Sequence, residues 1–461
     1  MKATLLHKAT IVTSEKEAVG SILILGDSIA EVIYTENEQF EYHIYNIRKK
    51  YSDLEVLDLD GKWVMAGGID AHVHFREPGL THKADMETES MAAVAGGVTS
   101  VIDMPNTSPV TTNAVSLAEK LELAKGRVAC NIGFNIGATN ENHQEIRDML
   151  AGNTQIKQEN IGGVKVFMGS STGNMLVDSG DALTNFFNIK ERPVLVHCED
   201  EGTIKVNMEK AKETYGEDVP FTEHENIRSR FACIKSSIKA LELAISKGTK
   251  VVLCHISTKE ELEMVRAAKL NNPDILAETS CTYLWFSNED YSRLGSKVKC
   301  NPSVKTPNDR EALIKGLADG VIDTIGSDHA PHLLSEKIAT YFKAPSGLPT
   351  IQQSLPALLT IAVNNNIPLT QITKAFSEKA AELYGLKRGK IENGYAADLV
   401  IFDLNKEFTV HAEYLYSKCG WSPYEGENLK GYIETVFVNG EIALKDGKIT
   451  EEKAGKLLQF N

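Results

Sequence analysis

Two histidines one residue apart, His72 and His74, stand in the stretch "GGIDAHVHFREPGL" (67–80), after an apolar run and just before Arg76. On a strand, alternate side chains share a face, so all three would point the same way. Two imidazoles on one face can reach a single metal ion. A guanidinium beside them offers a forked donor for an anionic group. The same alternation also suits an ordinary strand with hydrogen-bonded core histidines, so the decision falls to the rest of the chain.

Further ionisable residues follow apolar runs in the same way: His197 in "PVLVHCED", His255 in "KVVLCHIS" and Asp328 in "VIDTIGSDHAPH". Asn106 follows "VTSVIDMPN", and Lys165 lies within "GVKVFMGSS". If these runs are strands converging on one mouth, His72 and His74 serve one metal with Asp328 completing its shell. His197 and His255 then serve a second. Imidazole nitrogen and carboxylate oxygen suit Zn²⁺, and a catalytic site keeps one position open for water. Cys198 and Cys254 also adjoin histidines, but free cysteine is more often a small buried hydrophobe, and the histidines are the better ligands. His329 should point away from Asp328 along the strand and is read as structural. Lys165 has two readings. An ammonium near two dications is repelled, so the side chain either snorkels to the rim or takes up CO₂ as an anionic carbamate able to bridge the metals.

The elements that must position these residues are legible as eight apolar runs, at 63–75, 98–106, 128–138, 163–171, 193–200, 250–257, 275–285 and 321–332. Helix-like stretches such as "HKADMETESMAAVAGG" and "KEELEMVRAAKLNN" separate most of them. Eight alternations of strand and helix describe a (β/α)8 TIM barrel of class α/β, whose catalytic groups sit at the C-terminal strand ends. The interval from 200 to 250 is longer and predicts an inserted turn and a long helix. Short strand-like stretches with Gly-Asp and Asp-Gly turns fill 1–62, and similar ones with Asn439-Gly440 and Asp446-Gly447 fill 390–461. The expectation is a discontinuous β-sandwich domain from 1–62 and 390–461 flanking a catalytic barrel over 63–389.

The chain has 461 residues, enough for one large barrel and an accessory domain. Its net charge of −14, with no basic run, disfavours nucleic acid and anionic membranes as partners. No apolar span suits a membrane helix, and the first residues lack the pattern of a secretory leader. Seven scattered cysteines without a CxxC suggest reduced thiols and a cytoplasmic setting.

Taken in order, "GGIDAHVHFREPG", "MPNT" (104–107), "VHCED", "LCHIS", "CNPSVKT" (300–306), "SDHAPH" and "GYAADLVIFD" resemble the dihydroorotases, in the cyclic-amidohydrolase branch of the amidohydrolase superfamily. The resemblance covers nearly the whole chain. It implies two zinc ions per subunit, one held by His72, His74 and Asp328 and the other by His197 and His255. Lys165 matches the carboxylated lysine that bridges them in many members, although some bacterial members bridge with an aspartate. Asp328 is the implied catalytic proton carrier. Arg76, Asn106, Asn301 and His332, with the backbone near Gly347, are the implied substrate contacts. The implied reaction is reversible opening of dihydroorotate to N-carbamoyl-aspartate in pyrimidine synthesis. A homo-oligomer, dimer or tetramer, and association with aspartate transcarbamoylase are the implied assemblies. The competing expectations are an allantoinase, dihydropyrimidinase or hydantoinase, and an inactive dihydroorotase-like scaffold. Arg76 speaks against the first group, because their substrates lack the ring carboxylate; the full set of ligands speaks against the scaffold.

Overall fold

A computed structural model describes residues 2–169 and 175–461. The chain opens with an antiparallel meander of β1 (Ala3–Val12), β2 (Glu17–Leu25) and β3 (Ser28–Tyr34). Next, β4 (Leu54–Asp58) and β5 (Trp63–Ala66) both run parallel to β1, pairing with successive parts of it.

The barrel strands are β6 (Gly68–Val73), β7 (Val98–Asp103), β8 (Asn131–Phe134), β9 (Ile136–Gly137), β10 (Val164–Phe167), β11 (Val194–His197), β12 (Val251–Leu253), β13 (Ile275–Thr279) and β14 (Thr324–Ile325). All pair in parallel, in the orders β6-β7-β8 and β9-β10-β11-β12-β13-β14. Because β8 and β9 are one run interrupted at Asn135, the barrel has eight positions. It closes where Val73 bridges His329 and the His74 amide donates to the His329 carbonyl at 2.8 Å. The regular strands are shorter than the apolar runs, whose ends leave the ladder and turn into the mouth. The last two positions of the 163–171 run, 170 and 171, lie outside the described residues.

One predicted strand divides. The run 63–75 supplies β5 to the flanking sheet and β6 to the barrel, broken at Gly67, so the crossing between the two falls a few residues later than 62. Gly67 donates its amide to the Asp398 carbonyl, and a Cβ there would lie 2.2 Å from the Thr99 side chain. Only glycine lets the two layers approach this closely.

The C-terminal strands β15 (Leu399–Thr409), β16 (Asn428–Val438), β17 (Glu441–Lys445) and β18 (Lys448–Ile449) join β5 through β15. Both ends of the chain therefore share one network of nine strands. The predicted hairpin turns are present: Asn439, Gly440, Asp446 and Gly447 all have positive φ, as two-residue turns of the tight type require. Leu6, Ile22, Val64, Leu399 and Phe437 bury one face of this sheet.

Helices lie between the barrel strands as the patterns suggest. Asp85 caps Met86–Ala95 by accepting from the Thr88 amide, and Thr258 and Glu261 form a capping box at Lys259–Ala268. The long fifth interval holds the helices Glu201–Tyr215, His224–Ile227 and Arg230–Lys247. Among the described residues, no helix is long and apolar enough to cross a membrane.

Candidate metal centre and substrate pocket

Six of the residues singled out in the sequence, His72, His74, Lys165, His197, His255 and Asp328, line one cavity at the barrel mouth, together with Asn301 and Gly347. Strand alternation explains the first pair: the His72 and His74 rings are 5.5 Å apart, and their Nε2 atoms lie 3.5 and 3.1 Å from the same Asp328 oxygen. Asp328 and His255 both have positive φ, a conformation unfavourable for side-chain-bearing residues, and each turns inward just past its strand.

The hydrogen bonds behind the histidines decide what faces the cavity. His72 Nδ1 lies 2.6 Å from Glu278 Oε1, and His74 Nδ1 lies 2.6 Å from Asn106 Oδ1. A neutral imidazole carries one N–H, so spending it on these acceptors leaves the Nε2 lone pairs aimed at the Asp328 carboxylate. His197 Nε2 likewise lies 2.9 Å from Glu199 Oε2, which turns its Nδ1 toward His255 Nε2 at 3.0 Å. His72, His74 and His197 thus turn lone pairs into the same space as the Asp328 carboxylate, an arrangement that cations standing among them would stabilise. Burial lowers the pKa of His72, His197 and His255, a shift that Glu199 only partly offsets at His197, and this favours the neutral, ligating form of the rings. The donor atoms of His72, His74 and Asp328 all lie within 4.8 Å of one another, a span fitted to one metal ion.

Two glutamates that the sequence reading overlooked hold this geometry. Glu278 orients His72 and also accepts from the His255 amide at 3.4 Å; burial pushes its pKa up to about 7. Burial also raises the Glu199 carboxyl, but the Arg228 guanidinium, the His197 hydrogen bond and Lys305 together outweigh this and bring it down to about 2. The signal was available, since each follows an apolar run, in "LVHCED" and "ILAETS".

Lys165 does not reach the rim: it is 1% exposed, and its Nζ lies 3.3 Å from Cys254 Sγ. The snorkelling alternative is thereby excluded. Cys254 groups with His72 and Glu278 within metal-ligand distance, yet burial pushes its thiol up to about 12, so it stays protonated at neutral pH. Burial also raises the Cys198 thiol well above its ordinary value. His329 points away from the cavity: Nε2 lies 2.7 Å from Glu89 and Nδ1 accepts from the Thr350 amide.

The other proposed contacts form a second group beside the metal ligands. Arg76 does not continue the strand; its φ of 67° swings the side chain toward the 330s loop, where Nε donates to the Pro331 carbonyl at 3.0 Å. Its Nη2 lies 3.1 Å from His332 Nε2. Arg76 is 3% exposed, and among the described residues no carboxylate lies within 4.0 Å of it. Burial lowers its pKa to about 10, which leaves it charged at neutral pH. Asn301 Oδ1 is buried with no hydrogen-bond partner among the described residues and faces the cavity. Gly347 has φ 135°, and a Cβ there would lie 2.6 Å from the Ala330 carbonyl. Asn106, Arg76 and His332 are not among the cavity-lining residues, and the Asn106 amide oxygen is occupied with His74.

A model of the amidohydrolase family matches residues 63–443, the barrel together with its C-terminal flanking strands. The chain belongs to the amidohydrolase family. Within it, the chain falls in the cyclic-amidohydrolase branch. A dihydroorotase of Methanosarcina mazei is 36% identical over 427 residues, covering 90% of this chain and 91% of the relative. An allantoinase of Desulfitobacterium hafniense is 31% identical over 420 residues, covering 88% and 90%. Among solved structures, the L-hydantoinase (dihydropyrimidinase) of Arthrobacter aurescens superposes with a TM-score of 0.89 at 26% identity, covering the whole of both chains. This amidohydrolase is a metal-dependent hydrolase of cyclic amides, and it has the barrel and flanking sheet of that fold.

Proposed function

We propose that this amidohydrolase is a dihydroorotase, opening dihydroorotate reversibly to N-carbamoyl-aspartate in pyrimidine synthesis. The observation that carries the reading is Arg76: a buried guanidinium without a carboxylate partner is costly unless a substrate anion completes the pair. Dihydroorotate carries such a carboxylate on its ring; allantoin and dihydrouracil do not.

In this reading His72, His74 and Asp328 would hold one zinc ion and His197 and His255 a second, and a carboxylated Lys165 would supply an anionic ligand to the centre. When bound, zinc acidifies water and polarises the ring carbonyl. Arg76 and His332 seat the substrate carboxylate, with Asn301 and the Gly347 backbone bordering the ring. Asn106 holds His74 and, in this reading, is a further substrate contact. Asp328 takes the proton of the attacking water and delivers it to the ring nitrogen as the C–N bond breaks, so the ring opens to a carboxylate and a carbamoyl group. The discontinuous flanking domain, a homo-oligomeric state and an association with aspartate transcarbamoylase belong to the same reading.

Turnover of dihydroorotate, allantoin and dihydrouracil, each with and without a chelator, tests it. Dihydroorotate is expected to be the preferred substrate, with activity lost to the chelator and restored by zinc. Arg76→Ala should raise KM for dihydroorotate by about a hundredfold, the loss of a bidentate charged contact. Faster turnover of allantoin, or an unchanged KM in the variant, would remove the assignment. Metal analysis and intact mass, the latter for the added CO₂ on Lys165, check the centre itself.

A further inference from the structure

His332 sits between two cations. Its Nδ1 lies 3.0 Å from Lys83 Nζ, and its Nε2 lies 3.1 Å from both Arg76 Nη2 and the Ser346 carbonyl. An ammonium and a guanidinium both only donate, so a neutral ring cannot accept from Lys83 and Arg76 at once; the Ser346 carbonyl, which needs a donor at Nε2, sides with Lys83 and places the single ring proton on Nε2. That N–H points at the Ser346 carbonyl, on the cavity wall. The Arg76 Nη2 and His332 Nε2 groups are then two donors 3.1 Å apart that cannot satisfy each other, and a carboxylate oxygen accepting from both would share the Nε2–H with the Ser346 carbonyl.

The opposite tautomer has a ready partner. Glu336 lies 3.0 Å from Lys83 and 3.9 Å from His332 Nδ1. Without the lysine, the carboxylate would draw the proton to Nδ1. Nε2 would then present a lone pair to the Ser346 oxygen and to any bound anion. Little else about the imidazole is free to adjust: Trp421 Nε1 donates to the His332 carbonyl at 2.8 Å, and Arg76 holds the preceding carbonyl. Burial, with Arg76 and Lys83 nearby, keeps the ring neutral, so one proton and two nitrogens are all there is to arrange.

We propose that Lys83 is a positioning residue: by donating to Nδ1 it fixes His332 in the Nε2–H form, and so gives the Arg76 seat its second donor for a substrate carboxylate. The proposal rests on the reading of Arg76 and His332 as the carboxylate seat. It sets a role for "THKAD" (81–85), a stretch with no assigned chemistry.

Histidine ¹⁵N spectra of the zinc-loaded protein read the tautomer of His332 directly, with His332→Gln supplying the assignment. Wild type should show Nε2–H, and Lys83→Met should show Nδ1–H. In steady-state assays Lys83→Met should raise KM for dihydroorotate about tenfold, the worth of one charge-assisted hydrogen bond, with the change in KM exceeding that in kcat. Lys83→Arg should recover most of the KM, and adding Glu336→Gln to Lys83→Met should recover part of it by removing the competing acceptor. An Nδ1–H tautomer in wild type, or a tautomer change that leaves KM unmoved, overturns the proposal. So does a fall in kcat and melting temperature with KM unaffected. If wild type opens no dihydroorotate, the functional reading fails instead, while the spectra still decide whether Lys83 sets the ring.

Discussion

Glu278 supports the metal site's geometry, although it is not itself placed among the zinc ligands. One of its oxygens orients the His72 ring and accepts from the His255 amide, so a single side chain ties together the segments that carry ligands proposed for both metals. Glu278→Ala should lower zinc affinity about 10- to 100-fold, measured by competition with a chromogenic chelator, because outer partners of ligating histidines carry that much. An unchanged affinity would show that the barrel alone orients the rings. The residues facing the cavity were legible because each ends an apolar run with a ligand-type side chain. Glu278 and Glu199 end apolar runs too, but what they do there was not legible, since it lies in their partners: Glu278 meets a histidine 206 positions away. Arg76 was recognised for its chemistry but not for its path, because a positive φ, not strand alternation, aims it.

At the scale of elements, the loop that carries Ser346 and Gly347 is pinned by two buried lysines instead of by secondary structure. Lys299 donates to the Tyr341 and Ala344 carbonyls, and Lys337 to those of Lys299, Pro345 and Gly347. Burial pulls both pKa values from 10.5 to about 7, with Arg228 repelling Lys299 and Lys299 repelling Lys337. The sign follows from proton counts. Between pH 7 and 10 the unfolded chain binds more protons at these sites than the folded one, so stability rises with pH over that window; below about 7 the cost of burying the charges is fully present. Each lysine contributes at most about 1.4 kcal/mol per pH unit. Urea titrations at pH 7 and 9 should show this rise in wild type and a smaller one in Lys337→Met. Equal slopes would mean the ammoniums are solvated well enough to keep their ordinary pKa. None of this was readable beforehand, because a lysine in a sequence gives no sign of whether carbonyls will surround it. The helices were readable, since apolar spacing and capping residues are local, whereas the split at Gly67 depends on a neighbour 32 positions on, Thr99.

Across the whole molecule, one buried cluster joins the flanking sheet to the barrel. Asp398, at the start of β15, pairs with Arg388, accepts from the Asn439 amide at 2.6 Å and lies 3.3 Å from the Asn131 amide of β8. Arg388→Ala should cost about 3–5 kcal/mol in denaturant unfolding, the penalty for stranding a buried carboxylate. Metal content of the folded fraction should be retained, because the cluster lies away from the mouth ligands; loss of metal without loss of stability would contradict this account. Barrel and flanking strands were both foreseeable from periodicity, but their pairing order was not, because β5 lies between β1 and β15 and its two partners are separated by most of the chain. That placement has a consequence for biosynthesis. During translation β5 emerges with one edge already matched by β1, while the strand that covers its other edge follows more than three hundred residues later. For tens of seconds at ordinary elongation rates the nascent chain carries an open edge next to the first barrel strand, a natural point of engagement for chaperones.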